Sequence, residues 1–159
     1  MALEISQKRN SKLIYIIGLT LLTGTLDAVA AILTNLKVSA ATVFQYIASG
    51  VFGKAAFAGG TTMELYGMGL HYLIALLFTT ALFLLHPMFY SWFRFKFLTG
   101  IIYGVAIFFI MNRLVVPFSQ IPPKPFDGVA AIKASGILII CFGLPISYIA
   151  TGYYFYKRK

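Results

Sequence analysis

Four long apolar stretches, separated by segments that carry most of the charge, dominate the pattern of hydrophobic and polar positions along the chain. A spanning helix needs about 20 mostly apolar residues, because the hydrocarbon core of a bilayer is about 30 Å thick. The pattern therefore predicts an all-α bundle of four transmembrane helices in one domain, residues 1–159. The predicted spans are Leu13–Leu33, Leu65–Leu85, Phe97–Pro117 and Val129–Ala150.

The first apolar stretch also has features of a signal peptide. Basic residues precede it, and Ala28, Val29 and Ala30 resemble a cleavage site. Because the stretch is longer than a signal core and holds Asp27 beside the possible cleavage site, we expect a transmembrane helix that is not cleaved.

Composition supports a membrane protein. Of the 159 residues, 60% are hydrophobic and 11% are charged, whereas soluble domains are about half apolar and about a quarter charged. A formal net charge of +9 is compatible with binding to nucleic acid, but the basic residues lie at the ends of the apolar stretches. That placement fits anionic lipid head groups, and no nucleic-acid partner is expected.

The connection between the first two spans is long and not polar. Within residues 39–54, apolar residues such as Phe44 and Ile47 recur near helical spacing, with Gln45 on another face. This pattern predicts an interfacial helix that closes the bundle. A re-entrant segment or a lid over a cavity is the alternative.

The distribution of basic residues predicts the orientation. With four spans the two termini share one side, and that side carries eight Lys and Arg residues against four on the other. The positive-inside rule then places both termini in the cytoplasm. The residues counted are Lys8, Arg9, Lys12, Arg94, Lys96, Lys157, Arg158 and Lys159 on the inner side, and Lys37, Lys54, Lys124 and Lys133 on the outer side.

Polar residues interrupt three of the apolar stretches. Asp27, His71, Asn112 and Arg113 all fall at nearly the same depth, roughly 6 to 9 Å inside the outer ends of their helices at about 1.5 Å per residue. An ionisable group at bilayer depth costs about 2.5 to 3.5 kcal/mol on insertion scales, so it normally faces the bundle or finds a partner. These residues, joined by Glu64, are the candidate binding residues for a proton or a ligand.

Helical periodicity predicts which of these groups point inward. Asp27 lies on a stripe of small and polar residues, and His71 shares a face with Glu64 two turns away. Arg113 lies about half a turn from the glycine face of its helix and could reach the head groups, whereas Asn112 is expected to point inward.

Two readings of this polar layer stay open. In the first, Asp27 forms an ion pair with Arg113 or His71 that fixes helix register. In the second, the layer binds a proton, a cation or a small polar ligand, and His71 suits proton binding because its unperturbed pKa is about 6.5. A third possibility is that these groups face water defects or another copy of the chain.

The chain lacks the motifs of common chemistries. Two histidines and one cysteine supply no zinc or haem motif, and no nucleophile elbow or phosphate-binding loop occurs. Cys141 is expected to be a packing residue, and His86 before Pro87 is expected at the cytoplasmic interface. No enzyme activity, cofactor or metal is therefore predicted.

Several segments carry a family resemblance. Residues 50–60, 69–75, 100–104 and 111–117 resemble uncharacterised bacterial inner-membrane proteins, and the layout is similar to the YagU-like family. The chain departs from that family in being shorter and in lacking a histidine in the fourth helix. The resemblance implies an inner-membrane protein linked to acid or envelope stress, with no assigned reaction.

The sequence therefore predicts a small inner-membrane protein with a structural, accessory or stress-related role. The alternative is a transport or ligand-binding protein that uses the outer polar layer. It would work as a homo-oligomer, because four short helices leave little room for a transport pathway within one copy of the chain. An enzyme acting on lipid is a third hypothesis.

Overall fold

Four helical stretches are long and apolar enough to cross a membrane: residues 11–34, 60–93, 96–115 and 128–155. They confirm the predicted all-α four-span architecture. The computed structural model describes residues 2–122, 125 and 127–156, with side chains from 11 to 155. The side chains of Lys8, Arg9, Lys124, Lys157, Arg158 and Lys159 lie outside the described residues.

The chain order of the helices follows the predicted layout. The α-helices are α1 (Ala2–Thr34), α2 (Ala40–Phe52), α3 (Gly60–Phe93), α4 (Lys96–Ile110), α5 (Gly128–Leu138) and α6 (Leu144–Thr151). A short 3₁₀ helix, Gly53–Phe57, follows α2. π-Helical turns extend α4 (Met111–Val115), join α5 to α6 (Ile139–Gly143) and follow α6 (Gly152–Tyr156).

Two of the π-helical turns end two residues before a proline. One precedes Pro117 in the third span and the other precedes Pro145 in the fourth. Proline has no N–H and its ring crowds the carbonyl one turn earlier, so a regular α-helix is disfavoured there. In each turn the hydrogen bond spans five residues, from Val116 N to Met111 O and from Leu144 N to Ile139 O. The helix thus accommodates each proline by a wider turn just before it.

The second span is longer than predicted. Helix α3 continues through Pro87 to Phe93, so the expected end at His86–Pro87 is wrong. A proline costs a helix interior about 3 kcal/mol, but Phe83 and His86 just before it are fully buried against other helices. This packing keeps the helix intact. The α3 helix of 34 residues is about 51 Å long at about 1.5 Å per residue, which exceeds the hydrocarbon thickness of about 30 Å.

Glycines allow the third and fourth spans to touch backbone to backbone. A Cβ at Gly143 would lie 2.0 Å from the Gly100 carbonyl oxygen, and a Cβ at Gly104 would lie 2.5 Å from Ile139. Gly100 and Gly104 therefore pack closely on the π-helical turn of the fourth span.

The two terminal segments meet at one end of the bundle. The Lys12 ammonium lies 5.8 Å from the centre of the Tyr154 ring. Phe155 packs on Tyr90 of α3 with ring centres 4.8 Å apart. The turn from α3 to α4, at Arg94, is only a few residues further along the chain. The basic residues Lys12, Arg94 and Lys96 therefore belong to the same end, as an even number of spans requires.

The predicted helix between the first two spans is present. Predicted over residues 39–54, it runs as α2 from Ala40 to Phe52, and the Ser39 hydroxyl caps its N-terminus by accepting a hydrogen bond from Thr42 N. It packs against α3 so closely that a Cβ at Gly67 would lie 1.9 Å from the Phe44 carbonyl oxygen.

Candidate functional site

Asp27 of α1 and His71 of α3 come together near the end of the bundle that carries α2. His71 is 8% exposed and Asp27 is half-buried. The His71 ring is hydrogen-bonded to the Gly24 carbonyl, one helical turn before Asp27 on α1. Asp27 thus lies on the side of α1 that meets α3, as the small and polar stripe on α1 predicted.

The hydrogen bonds of His71 determine its tautomer. Its Nε2 lies 2.8 Å from the Gly24 carbonyl oxygen, and a carbonyl only accepts, so Nε2 carries a proton. In the neutral ring Nδ1 is then an acceptor. It has no hydrogen-bond partner among the described residues, and it is not sealed off, because no enclosed side-chain nitrogen or oxygen there lacks a partner. One imidazole nitrogen is thus anchored and the other is available.

This arrangement differs from the expected register-fixing ion pair. His71 uses its anchored nitrogen to bind the backbone of α1 at Gly24, one helical turn before Asp27, rather than the carboxylate. Helix register is set by hydroxyl contacts instead. Thr25 and Tyr72 hydroxyls are 2.8 Å apart, and Thr23 and Thr79 hydroxyls are 3.2 Å apart.

Aromatic rings form the walls of the site. The Phe44 ring of α2 meets the His71 ring edge-on with centres 6.4 Å apart, and the Tyr72 ring does so at 5.4 Å. Because Phe44 comes from α2, the helix between the first two spans covers His71. The negative charge of the Asp27 carboxylate and the acceptor Nδ1 of His71 suit a cation or a proton better than an anion.

The remaining predicted site residues do not join this pair. Glu64 is half-buried on α3 but lies two turns from His71. Asn112 and Arg113 are exposed, and Asn112 donates to the Phe108 carbonyl of its own helix at 2.9 Å. The expectation that Asn112 points inward is therefore wrong. Both residues lie in a π-helical turn, whose extra residue rotates the side chains away from the face that regular helical spacing predicts.

A second polar cluster, missed by sequence reasoning, centres on His86. His86 is fully buried between helices, which the sequence did not predict. Its Nδ1 lies 2.9 Å from the Tyr103 hydroxyl of α4, and its Nε2 lies 2.9 Å from the Thr151 hydroxyl of α6. Three spans therefore meet at one imidazole.

The direction of each hydrogen bond in this second cluster follows from the Ser147 carbonyl, which can only accept. Thr151 donates its single hydroxyl proton to the Ser147 carbonyl at 2.7 Å, so it accepts from His86 Nε2. Nδ1 of the neutral imidazole then accepts from the Tyr103 hydroxyl. Every polar atom of the His86 ring is used. The only sequence signal was a histidine 15 residues after His71, close to four helical turns further along the same face.

Aromatic side chains enclose the His86 cluster. Tyr90 and Tyr154 stack on the imidazole with centres 5.6 and 6.4 Å away, and Phe155 meets it edge-on at 6.4 Å. This enclosure keeps water from the hydrogen bonds and so strengthens them.

Buried apolar side chains separate the two histidines. His71 and His86 are about 22 Å apart along α3 at about 1.5 Å per residue. Leu19, Phe83 and Ile146, each 2% exposed or less, belong to the core between them. Cys141 lies in the same core, which confirms its expected packing role. No continuous chain of polar groups links the two clusters in the described part of the bundle.

Comparison with protein-family models, with characterised proteins and with solved structures gives no match to this chain.

Proposed function

We propose that this protein binds a proton or a small cation at Asp27 and His71, near the end of the bundle that carries α2. The observation that carries the proposal is a half-buried carboxylate one helical turn from the carbonyl that binds the His71 imidazole, whose Nδ1 has no hydrogen-bond partner among the described residues. A charge at bilayer depth costs about 2.5 to 3.5 kcal/mol. Binding a proton or a cation offsets that cost.

The proposal is binding, not conduction through one copy of the chain. The apolar layer around Phe83 separates the Asp27 site from the opposite end, and a pathway would have to cross it. Two donors are also fewer than the three or four protein ligands of a zinc site. A proton, an alkali cation or a small amine therefore fits the site better than a transition metal, and no catalytic step is proposed.

A structural or accessory role in the membrane is the second candidate. It is favoured by the His86 cluster, in which all ring hydrogen bonds are satisfied by residues of other spans. In this reading Asp27 and His71 only stabilise contacts between helices.

The proposal also includes the location and relationships of the protein. These are placement in a bacterial inner membrane with cytoplasmic termini, assembly as a homo-oligomer, and the YagU-like relationship with its link to envelope stress. Their support is the charge distribution and the sequence resemblance.

The two candidates differ in how stability depends on the solution. The thermal unfolding temperature of the purified protein would be measured from about pH 5 to 8, the range in which histidine changes charge, and at fixed pH with added Na⁺, K⁺ or methylammonium. Under the binding proposal the unfolding temperature depends on pH or on one of these cations. That dependence disappears in both Asp27→Asn and His71→Ala.

Asp127→Asn is the matched control. Asp127 is exposed and caps α5 by accepting from Val129 N and Ala130 N, a task that asparagine performs about equally well. Its variant should keep the dependence of the wild type. Glu64→Gln tests whether Glu64 contributes to the site. If Asp27→Asn and His71→Ala are less stable yet keep the same dependence, the structural role is correct and the binding proposal is not.

A further inference from the structure

A groove runs between α1 and α3 on the outer surface of the bundle. Its volume is about 380 Å³, within the range of small-molecule sites, about 300 to 1,000 Å³. Both helices belong to membrane spans, and the groove lies at least about 9 Å inside their ends at about 1.5 Å per residue. Its wall includes Ile17, Thr20 and Leu21 of α1 and Gly69, Tyr72 and Leu73 of α3.

The lining of this groove suits an alkyl chain. The Thr20 hydroxyl donates to the Ile16 carbonyl at 2.8 Å, and the Tyr72 hydroxyl lies 2.8 Å from the Thr25 hydroxyl. Both polar groups of the wall are thus bonded to the protein itself. The other lining residues are apolar, and a Cβ at Gly69 would have nothing within 4 Å. An occupant of the groove therefore gains from apolar contact rather than from hydrogen bonds.

Tyr72 joins the groove to the Asp27 and His71 site. Its ring lines the groove and meets the His71 ring edge-on, with centres 5.4 Å apart. The same ring packs over Gly24, where a Cβ would lie 2.9 Å from it, and the Gly24 carbonyl binds His71. Asp27 follows Thr20 by about two helical turns, or about 10 Å along α1, so the two residues share a face.

Charge determines which end group an occupant carries. The sequence has no Lys or Arg between Lys12 and Lys37, which covers the α1 wall, or between Lys54 and Arg94, which covers the α3 wall. A fatty acid would therefore place its carboxylate beside Asp27 with no basic partner on either helix. An ammonium group is instead attracted to the Asp27 carboxylate.

We propose that the site takes an amphiphilic ammonium ion, whose charged group binds at Asp27 and His71 and whose single alkyl chain lies in the groove beyond Tyr72. The inference rests on the proposed function and names the class of cation. An alkyl chain makes apolar contacts that Na⁺ and K⁺ cannot make. Each methylene that leaves water for the groove should tighten binding by up to about fourfold.

The test compares ammonium ions that differ only in chain length. The thermal unfolding temperature of the purified full-length protein is measured in a non-ionic detergent against methylammonium, butylammonium and octylammonium. Octylammonium should reach half of its maximal effect at a concentration at least about tenfold below that of methylammonium. Octanol and octanoate lack the positive charge and should not reproduce the effect. Asp27→Asn should abolish the response to all three ammonium ions.

Two variants fill the groove and leave the charged site intact. Gly69→Leu adds a side chain in open space, and Leu73→Trp enlarges a side chain that is 50% exposed. Each should lower the ratio of the methylammonium to the octylammonium concentration about tenfold, because the alkyl chain loses its apolar contacts. The methylammonium concentration itself should not change, since both residues lie outside the Asp27 and His71 site.

Gly136→Leu is the matched control for the groove variants. It makes the same substitution at a glycine of the fourth span, where a Cβ would also have nothing within 4 Å. Gly136 does not line the groove. Octylammonium enters the detergent micelles to the same extent with every variant, so Gly136→Leu should keep the wild-type ratio.

A competition arm distinguishes a soluble ligand from a membrane lipid. Phosphatidylethanolamine also carries an ammonium group and is added to the micelles before octylammonium. If the lipid is the source of the ligand, the octylammonium concentration needed should rise in the wild type but not in Gly69→Leu. If the ligand is a soluble amphiphilic amine, that concentration should stay the same in both proteins.

Two results would overturn the inference and leave the proposed function standing. The first is a ratio that is the same in the wild type, Gly69→Leu and Leu73→Trp. The second is an equal effect of octylammonium and octanol or octanoate, which would mean that the charge of Asp27 does not select the occupant. If no ammonium ion, Na⁺ or K⁺ changes the unfolding temperature and pH has no effect, the proposed function is wrong and the inference fails with it.

Discussion

His86 and Thr151 lie 65 residues apart in sequence and share a hydrogen bond of 2.9 Å in the centre of the bundle. Both side chains are fully buried. Thr151 donates its hydroxyl proton to the Ser147 carbonyl. Its oxygen is therefore the acceptor for the imidazole N–H of His86. The stability of the protein should therefore respond to the loss of this one hydroxyl oxygen.

Thr151→Val tests this bond with a side chain of similar shape. A buried donor left without a partner costs about 1 to 3 kcal/mol, so the free energy of unfolding should fall by that amount in a denaturing-detergent titration. Tyr103→Phe, which removes the hydroxyl on the other side of the imidazole, should have a similar effect. The double variant should lose less than the sum, because the two changes act on one network.

Thr62→Val provides the reference for these variants. Thr62 is exposed at the start of α3, and surface substitutions usually change stability by less than about 0.5 kcal/mol. A loss in Thr151→Val no larger than in Thr62→Val would mean that the His86 cluster does not hold the spans together.

The contact between the third and fourth spans predicts opposite effects for two glycines of one span. Gly143→Ala should destabilise the protein by about 1 to 3 kcal/mol or more, because the added Cβ would lie 2.0 Å from the Gly100 carbonyl and neither backbone has room to move. Gly136→Ala has nothing within 4 Å of its Cβ. It should be neutral or stabilise the helix by up to about 1 kcal/mol. The same unfolding titration measures both, and equal losses would contradict the described packing.

The sequence was a good guide to the spans and to half of the site. Hydrophobic length located the four helices, and face periodicity placed Asp27 and His71 toward the bundle, because both lie in regular helix where spacing of 3.6 residues holds. Asn112 was misplaced because a π-helical turn changes the phase of the helix at that point. No local pattern in a single sequence predicts that change of helical phase.

His86 was missed for a different reason. Pro87 is a helix terminator by local rules, and those rules placed His86 at an interface. Burial of Phe83 and His86 against α4 and α6 outweighs the local cost. That energy comes from residues far apart in sequence, such as Tyr103 and Thr151, and a scan along one chain does not detect it. The covering of His71 by Phe44 is likewise a long-range contact, although the helix that carries it was predicted.

The proposed orientation can be tested by labelling single cysteines in intact cells. Thr62→Cys and Ser91→Cys, each in a Cys141→Ala background, place exposed thiols at opposite ends of α3. With cytoplasmic termini, a membrane-impermeant maleimide should label Thr62→Cys at once and Ser91→Cys only after the membrane is permeabilised. The physical basis is the excess of Lys and Arg at the end that carries Ser91, which resists translocation. The reverse pattern would place the Asp27 site on the cytoplasmic side, so that protons or cations would reach it from inside the cell.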